Sequence, residues 1–107
     1  MNIHVTEAES EILAALWRHG PLTPARLIET VKAQRPWGEA TIKTLLGRLM
    51  QKKAIRSVRE DGRLLYHPLI AREAYQESEV QALVERLFDG DPDALRRFLA
   101  LSAARRV

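Results

Sequence analysis

The chain has 107 residues, of which 46% are hydrophobic and 29% charged, so it can form one small domain or a small domain with an appendage. It contains no cysteine, which excludes disulfides, thiolate metal sites and a cysteine nucleophile. Its apolar runs are short and its N-terminus lacks the core of a signal peptide, so we expect a cytoplasmic protein without membrane insertion.

The positive charge is concentrated in one part of the chain. Residues 1–70 carry 11 Lys and Arg against 7 Asp and Glu, whereas residues 71–107 carry 6 against 7. Between Lys43 and Arg63 the count is 7 against 2. Such a concentration is the electrostatic footprint expected for a polyanion. It also predicts two parts with different roles, residues 1–70 and residues 71–107.

Two N-terminal helices are predicted from their capping residues. Thr6 to Glu9 form a capping box that begins the first helix, and Gly20-Pro21 ends it. Thr23-Pro24 begins the second helix, which has to end before Pro36. The residues predicted to face inward are Ile12, Leu13, Leu16, Trp17, Leu27, Ile28 and Val31.

Chemically active residue types near the N-terminus have ordinary explanations. The carboxylates of Glu7, Glu9 and Glu11 are expected in an exposed first turn that the helix dipole stabilises. The sequence has no Gly-rich phosphate loop, nucleophile elbow or metalloprotease motif, so we expect no cofactor, no metal and no enzymatic activity. A surface or helix-end position, rather than a metal site, is expected for His4, His19 and His67.

A third helix is predicted over residues 39–53. Its outward residues from Thr41 to Lys53 include hydroxyls, an amide and four cations but no carboxylate. Exposed helices ordinarily mix both signs of charge. Two interpretations stay open for this helix alone: a solvated face, or a surface that binds phosphates and base edges. The spacing of one buried helical face is shown by Ile42, Leu45, Leu46, Leu49 and Met50.

Two residues of this region allow two interpretations each. Trp37 is either a base-stacking aromatic or, the interpretation we favour, a hinge residue packed against a helix. Gly47 costs about 1 kcal/mol relative to alanine within a helix. It either permits close approach to DNA or is tolerated on an exposed face.

After Ala54 the periodicity changes from helical to alternating, which predicts a β-hairpin. Asp61-Gly62 between two β-compatible runs is typical of a tight hairpin turn. The tip is predicted to hold Arg59, Glu60, Asp61 and Arg63, and Pro68 is predicted to end the second strand. A basic hairpin directly after a basic helix would provide two adjacent contact elements for one ligand.

Two further helices are predicted from about Arg72 to the end. Gly90 closes a long helix, and Asp91-Pro92 begins a short one. Two short amphipathic helices bury little between themselves, so their apolar faces need a cover. That cover is either the first domain or, as we prefer, a second copy of the chain. The residues predicted for dimerisation are Val80, Leu83, Val84, Leu87, Phe88, Leu95, Phe98 and Leu99.

Three helices followed by a hairpin is the order of elements in a winged helix-turn-helix domain. Several stretches carry a closer likeness: the opening TEAESEILAALW, Thr41–Leu49 with Lys52-Lys53, Gly62–Pro68 and Leu87–Asp91. In these stretches the sequence resembles the penicillinase-repressor family, the BlaI/MecI/CopY group of bacterial transcriptional repressors. The fold class that this implies is mostly α with a small β-hairpin: a winged helix-turn-helix domain plus a short C-terminal helical dimerisation region.

The resemblance implies a repressor that binds double-stranded DNA, at a palindromic operator, as a homodimer. The third helix would enter the major groove, where arginine and lysine can read guanine and threonine can contact a thymine methyl. The alternative is a winged-helix module for protein–protein contact that does not bind DNA. The DNA-binding residues that the resemblance assigns are Thr41, Lys43, Thr44 and Arg48 in the groove, Lys52 and Lys53 on phosphates, and Arg59 and Arg63 on the wing.

The sequence also departs from the family pattern. Ala54 stands where the family often has glycine, and the C-terminal cysteines of the copper-responsive branch are absent, so metal sensing of that kind is not expected. Relatives usually continue into another dimerisation helix, so this region is either naturally short or part of a longer chain. The β-lactam-responsive branch implies a membrane sensor or protease system that controls release. Arg97 precedes Phe98 where those relatives have asparagine, and we do not predict cleavage there.

Overall fold

The computed structural model describes residues 3–106 of the chain. Two compact units are present, one ending at Arg72 and the other beginning at Glu73. The predicted class, mostly α with one small hairpin, is confirmed. In chain order the elements are α1 (Glu7–His19), α2 (Pro24–Gln34), α3 (Glu39–Gln51), β1 (Ile55–Glu60), β2 (Arg63–Pro68), α4 (Arg72–Leu87) and α5 (Pro92–Arg105).

The helix starts follow from local capping chemistry. Thr6 Oγ1 accepts a hydrogen bond from the backbone N–H of Glu9 at 3.1 Å, and Glu9 Oε1 accepts one from the N–H of Thr6 at 3.0 Å. This is the predicted capping box, in which each residue satisfies a donor that the helix leaves unpaired. Thr23 and Asp91 cap α2 and α5 through their side chains, and each is followed by proline. These three predicted starts are confirmed.

The first unit buries a core between α1, α2, α3 and the base of the hairpin. Its predicted inward residues are buried, except that Trp17 is half-buried and donates Nε1–H to the carbonyl of Ile70 at 2.8 Å. Met50 was predicted on the buried face of α3, and that prediction is wrong because its side chain is 41% exposed. At about 100° per residue, Met50 lies at the edge of the buried arc. The buried apolar residues of this unit are Val5, Ile12, Leu13, Ala15, Leu16, Leu27, Ile28, Val31, Ile42, Leu45, Leu46, Leu49, Ala54 and Ile55.

The hairpin turn contains only Asp61 and Gly62, at φ values of 52° and 78°. Two successive positive φ values between antiparallel strands form a type I′ turn, whose twist matches that of the strands. The predicted Asp-Gly turn is confirmed, but Arg59, Glu60 and Arg63 belong to the strands. Glu60 and Arg63 face each other as the last pair of the ladder.

The hairpin is attached to the rest of the first unit at its base. Leu22 and Tyr66 form an isolated antiparallel bridge through two backbone hydrogen bonds of 3.3 and 2.8 Å. The N–H of Leu69 also donates to the carbonyl of Ala54 at 2.8 Å. The α1–α2 connection therefore serves as a third, very short strand and fixes the hairpin beside the helices.

The second unit consists of α4 and α5, joined by a turn in which Asp89 and Gly90 both have positive φ. The rings of Phe88 and Phe98 lie 5.6 Å apart in a tilted arrangement across this turn. α5 has 14 residues and is longer than the short helix predicted. Within residues 3–106, none of the helices is long and apolar enough to cross a membrane.

Candidate nucleic-acid interface

α3 has one buried face and one exposed face. The buried face consists of Ile42, Leu45, Leu46 and Leu49. At about 100° per residue, the opposite side of the helix is centred on Ala40, Thr44, Gly47 and Gln51. All four of these residues are exposed. The centre of the exposed face is therefore a strip of small or uncharged side chains along which another molecule can approach closely.

Cations flank this strip on both sides. Lys43 lies on one side, and Arg48 lies on the other beside Thr41, and all three are exposed. Lys43 Nζ is 3.5 Å from Glu39 Oε2, a carboxylate one turn before Lys43 and just outside the acid-free stretch. Both side chains of that pair are more than half exposed, and such pairs contribute little in water. The ammonium group of Lys43 can therefore exchange Glu39 for another anion at little cost.

The hydroxyl of Thr44 is engaged within the helix. Its Oγ1 donates to the carbonyl of Ala40, one turn earlier, at 3.0 Å. Since this bond uses the hydroxyl hydrogen, the groups that Thr44 offers to a ligand are its methyl group and the remaining lone pairs of its oxygen. A methyl group at this position suits an apolar contact with thymine.

α3 ends in a left-handed residue. Lys53 has a φ of 62°. Its N–H donates to the carbonyl of Met50 at 3.0 Å, and the N–H of Ala54 donates to the carbonyl of Leu49 at 2.9 Å. These bonds form a Schellman motif, in which the left-handed position usually favours glycine. In this chain the left-handed residue is Lys53. Ala54, which stands where the family often has glycine, is the next residue and is buried. The exposed side chain of Lys53 thus leaves the helix at the point where the chain turns towards the hairpin.

Lys52, expected on phosphates, has two partners within the chain. Its Nζ lies 2.5 Å from Glu9 Oε1 and 2.9 Å from the carbonyl oxygen of His4. Glu9 is only 1% exposed, so the expectation that Glu9 lies in an exposed first turn is wrong. Burial by itself would raise the pKa of Glu9, but the hydrogen bonds and charge of Lys52, together with the hydrogen bonds of Thr6, lower that pKa overall.

The two arginines predicted for the wing point to opposite faces of the hairpin. Arg59 is paired with Leu64 and Arg63 with Glu60, and successive ladder positions alternate between faces. Arg59 Nη1 is also 3.4 Å from the carbonyl oxygen of Gly62, so its guanidinium group lies over the turn. The exposed Arg56 shares its face with Arg63, and sequence reasoning missed it. Strand alternation with the register set by the Asp-Gly turn would have identified Arg56.

Trp37 lies in the hinge between α2 and α3. Its side chain is half-buried, and the guanidinium carbon of Arg35 lies 6.0 Å from the centroid of its ring. Arg35 also forms a 2.6 Å ion pair with Glu11 of α1. This arrangement favours the hinge interpretation of Trp37 because the ring already has a cationic neighbour within the domain.

The three histidines do not form one site. His4 is exposed and His19 is the last residue of α1, as expected. His67 is partly exposed rather than fully at the surface, since it is half-buried in β2 with Nε2 3.2 Å from Glu60 Oε1. Among residues 3–106, His, Asp and Glu form no group of three or more that could hold a metal ion.

The residues predicted for dimerisation have different environments in the second unit. Val84 is buried within the chain at 2% exposure, so it packs within its own chain. Leu83, Phe88 and Leu95 are half-buried. The large exposed apolar residues of α4 and α5, each 48–61% exposed, are Val80, Leu87, Phe98, Leu99 and Leu101. Leu101 was not among the residues predicted for dimerisation, although it continues the apolar spacing of α5.

Sequence comparison finds relatives along most of the chain. The family model described as penicillinase repressor matches residues 5–104. An uncharacterized 16.5 kDa protein in the ptsI 3′ region of Latilactobacillus sakei is 31% identical over 83 residues, which cover 78% of this chain and 57% of that protein. The penicillinase repressor of Bacillus licheniformis is 27% identical over 86 residues, which cover 80% of this chain and 67% of that protein. The chain therefore spans between half and about two thirds of the length of these relatives.

Solved structures resemble the first unit. The solution structure of the DNA-binding domain of the repressor BlaI has a TM-score of 0.60 and 27% identity, covering 68% of this chain and 89% of that one. The solution structure of the monomeric form of Bacillus licheniformis BlaI in complex with the blaP half-operator has a TM-score of 0.63 and 28% identity. The match covers 69% of this chain and 92% of that one. The arrangement of three helices and a hairpin is thus that of a winged helix-turn-helix domain.

Proposed function

Because the chain belongs to the penicillinase repressor family, we propose that it is a DNA-binding transcriptional repressor that recognises a specific duplex sequence and has no enzymatic activity. The observation that carries this proposal is the exposed face of α3, a strip of small or uncharged side chains between Lys43 and Arg48. The similar fold of BlaI, which was solved with a half-operator, supports it.

We assign direct base contacts to α3. The major groove of B-DNA admits one helix, and the central strip of Ala40, Thr44, Gly47 and Gln51 allows the backbone of α3 to approach the base edges. Lys43 and Arg48, on the two flanks, reach towards guanine or phosphate, while Thr41 and the methyl group of Thr44 face thymine. A helix-turn-helix domain reads bases mainly from the N-terminal part of this helix, which is where Thr41, Lys43 and Thr44 lie.

We assign phosphate contacts to Lys53 and to the hairpin. Lys53 is exposed at the exit of α3, and the hairpin carries Arg56, Arg59 and Arg63. Because Arg59 and Arg63 lie on opposite faces, they contact different parts of the DNA backbone or only one of them contacts DNA. Contacts of this kind position the protein and make binding depend on salt, but they carry little sequence information.

We further propose a cytoplasmic homodimer on a palindromic operator. The second unit exposes Val80, Leu87, Phe98, Leu99 and Leu101, and a second copy of the chain is the cover that suits a two-fold symmetric operator. Two α3 helices held by one dimer would read two half-sites. Release from the operator is assigned to a membrane sensor or protease system, as the family resemblance implies.

The Arg48→Ala variant tests this assignment. A bidentate contact between Arg48 and a guanine predicts a loss of about 1–3 kcal/mol of operator binding and relaxed preference at one base position. The measurement is a gel-shift titration with operator and scrambled duplexes. Arg18→Ala removes the same charge from the cleft between α1 and α2 and should bind like the parent. Parental operator affinity in the Arg48→Ala protein would contradict the assignment, and failure of the parent to bind any duplex would favour a protein–protein module.

A further inference from the structure

The ion pair between Lys52 and Glu9 joins three separate parts of the first unit. Lys52 is the C-cap of α3, Glu9 belongs to the first turn of α1, and the carbonyl of His4 lies in the segment before α1. The two residues are 43 positions apart in the sequence, but Lys52 Nζ and Glu9 Oε1 are only 2.5 Å apart. It lies where α3 ends and the chain turns into the hairpin.

The carboxylate of Glu9 depends on this lysine. At 1% exposure it has lost its water, and a buried anion is stable only when charged or hydrogen-bonded partners replace that water. Glu9 Oε1 accepts from the backbone N–H of Thr6 at 3.0 Å and from Lys52 Nζ at 2.5 Å. If Lys52 moved away to bind a phosphate, the charge of Glu9 would remain buried without its cation.

The residues that follow Lys52 have a constrained conformation. Lys53 adopts a left-handed conformation and Ala54 is completely buried, so the chain has little freedom between α3 and β1. A fixed C-cap therefore sets both the end of α3 and the starting direction of the hairpin. These are the two elements to which DNA contacts are assigned above.

We propose that Lys52 is a positioning residue rather than a phosphate contact, and that its ion pair with Glu9 fixes α3 and the hairpin relative to α1. This inference rests on the proposed DNA-binding function. It removes Lys52 from the set of DNA contacts expected from sequence and adds Glu9, which is buried, as a residue on which operator recognition depends.

The Glu9→Gln variant separates a phosphate-binding role of Lys52 from a positioning role, because the two roles predict opposite changes in operator affinity. If Lys52 could bind phosphate, loss of the Glu9 charge would release its ammonium group and raise affinity for every duplex. If Lys52 positions α3, Glu9→Gln lowers operator affinity and leaves binding to scrambled duplex unchanged. Lys52→Arg keeps a positive charge and hydrogen-bond donors beside Glu9, so it should retain the parental ratio of operator to scrambled binding.

Salt dependence provides a second comparison between adjacent residues. Lys53→Ala should reduce the slope of log affinity against log salt by about 0.9, the value for one phosphate contact. Lys52→Ala should leave that slope at the parental value. All binding is measured well below the thermal midpoint of the least stable variant, with circular dichroism as the check of folding.

Amine footprinting tests the inference on the parent protein and needs no variant to fold. Lysines are acylated at limiting reagent with and without operator duplex, and each site is read by fragment-ion mass spectrometry. We expect Lys52 to react several-fold more slowly than Lys53 without DNA and to be unchanged by DNA, while Lys43 and Lys53 become protected. Protection of Lys52 by DNA, or equal reactivity of Lys52 and Lys53 without DNA, would overturn the inference. If no lysine is protected and the parent binds no duplex, the proposed function itself fails.

Discussion

The carboxylate of Glu9 is stable as an anion only while Lys52 and the backbone N–H of Thr6 remain beside it. Removing one partner of a buried ion pair typically costs about 3–5 kcal/mol, because the other charge is left without compensation. Because Lys52 is partly exposed, the loss of stability caused by Lys52→Ala should lie at or below the lower end of that range. A single side chain therefore contributes a large part of the stability of a domain this small.

Glu9 also makes the stability of the domain depend on pH. The pKa of Glu9 is lower in the folded chain than the ordinary value of about 4.5. Its charge therefore stabilises the fold fully above about pH 4.5, and this contribution is lost as pH falls through the lower folded pKa. Glu9→Gln should lower the free energy of unfolding at pH 7 and should flatten its decline below pH 4.5, as measured by urea denaturation across pH 3–7.

Glu7 provides the matched control for this prediction. It lies in the same helical turn but is exposed, so Glu7→Gln should keep the parental decline in acid. An acid decline in Glu9→Gln as steep as that of the parent would show that the Glu9–Lys52 pair contributes nothing to stability.

At the scale of elements, α3 has one glycine within the helix and another as its N-cap, and substitution by alanine should have opposite effects at these two positions. Gly47 lies within the helix, and apart from its chain neighbours and the adjacent backbone of α3 no atom of the described residues is within 4 Å of a Cβ built there. Gly47→Ala should stabilise the domain by about 0.5–1 kcal/mol because alanine has less backbone freedom to lose. Gly38 is the N-cap, where alanine is among the poorest residues, so Gly38→Ala should destabilise slightly. Thermal or urea unfolding measures both.

Operator affinity of the Gly47→Ala variant then decides between the two interpretations of that glycine. A more stable protein with weaker operator binding would show that DNA needs the space above Gly47. A more stable protein with parental binding would show that glycine is only tolerated there. A less stable Gly47→Ala protein would contradict the helical environment described for this residue.

The elements that sequence predicts well are those whose signals are local. Thr6, Thr23 and Asp91 begin helices through bonds to residues two or three positions away. Asp61-Gly62 sets the hairpin register because the turn permits two positive φ values. The order of elements could be read from these features without coordinates, and the exposed face of α3 could be read from the spacing of its apolar residues.

The features that sequence reasoning missed depend on residues distant in the chain or on exact geometry. Burial of Glu9 requires Lys52, which no local pattern connects to α1. Assigning Arg59 and Arg63 together overlooked the fact that they occupy opposite faces of the ladder. Met50 lies at the edge of the buried arc, where helical spacing alone does not decide exposure.

At the scale of the whole molecule, the two units differ in charge and in surface. The first unit, residues 1–72, has a net charge of +5 and the second, residues 73–107, a net charge of −2, from the counts of 12 against 7 and 5 against 7. The basic unit carries the exposed face of α3, and the helices α4 and α5 of the other unit expose the large apolar side chains of Val80, Leu87, Phe98, Leu99 and Leu101. We assign DNA recognition to the first and pairing of two copies to the second, a division of roles typical of dimeric helix-turn-helix repressors.

Selection of bound sequences from a random duplex pool tests this account most directly. We expect enrichment of one palindrome whose half-sites are spaced by about one helical turn, 10–10.5 base pairs, or a multiple of it. The same selection with Arg48→Ala should lose preference at one position in each half-site. Enrichment of a single unpaired half-site would contradict the dimer, and a pool that shows no enriched sequence would contradict specific DNA recognition by α3.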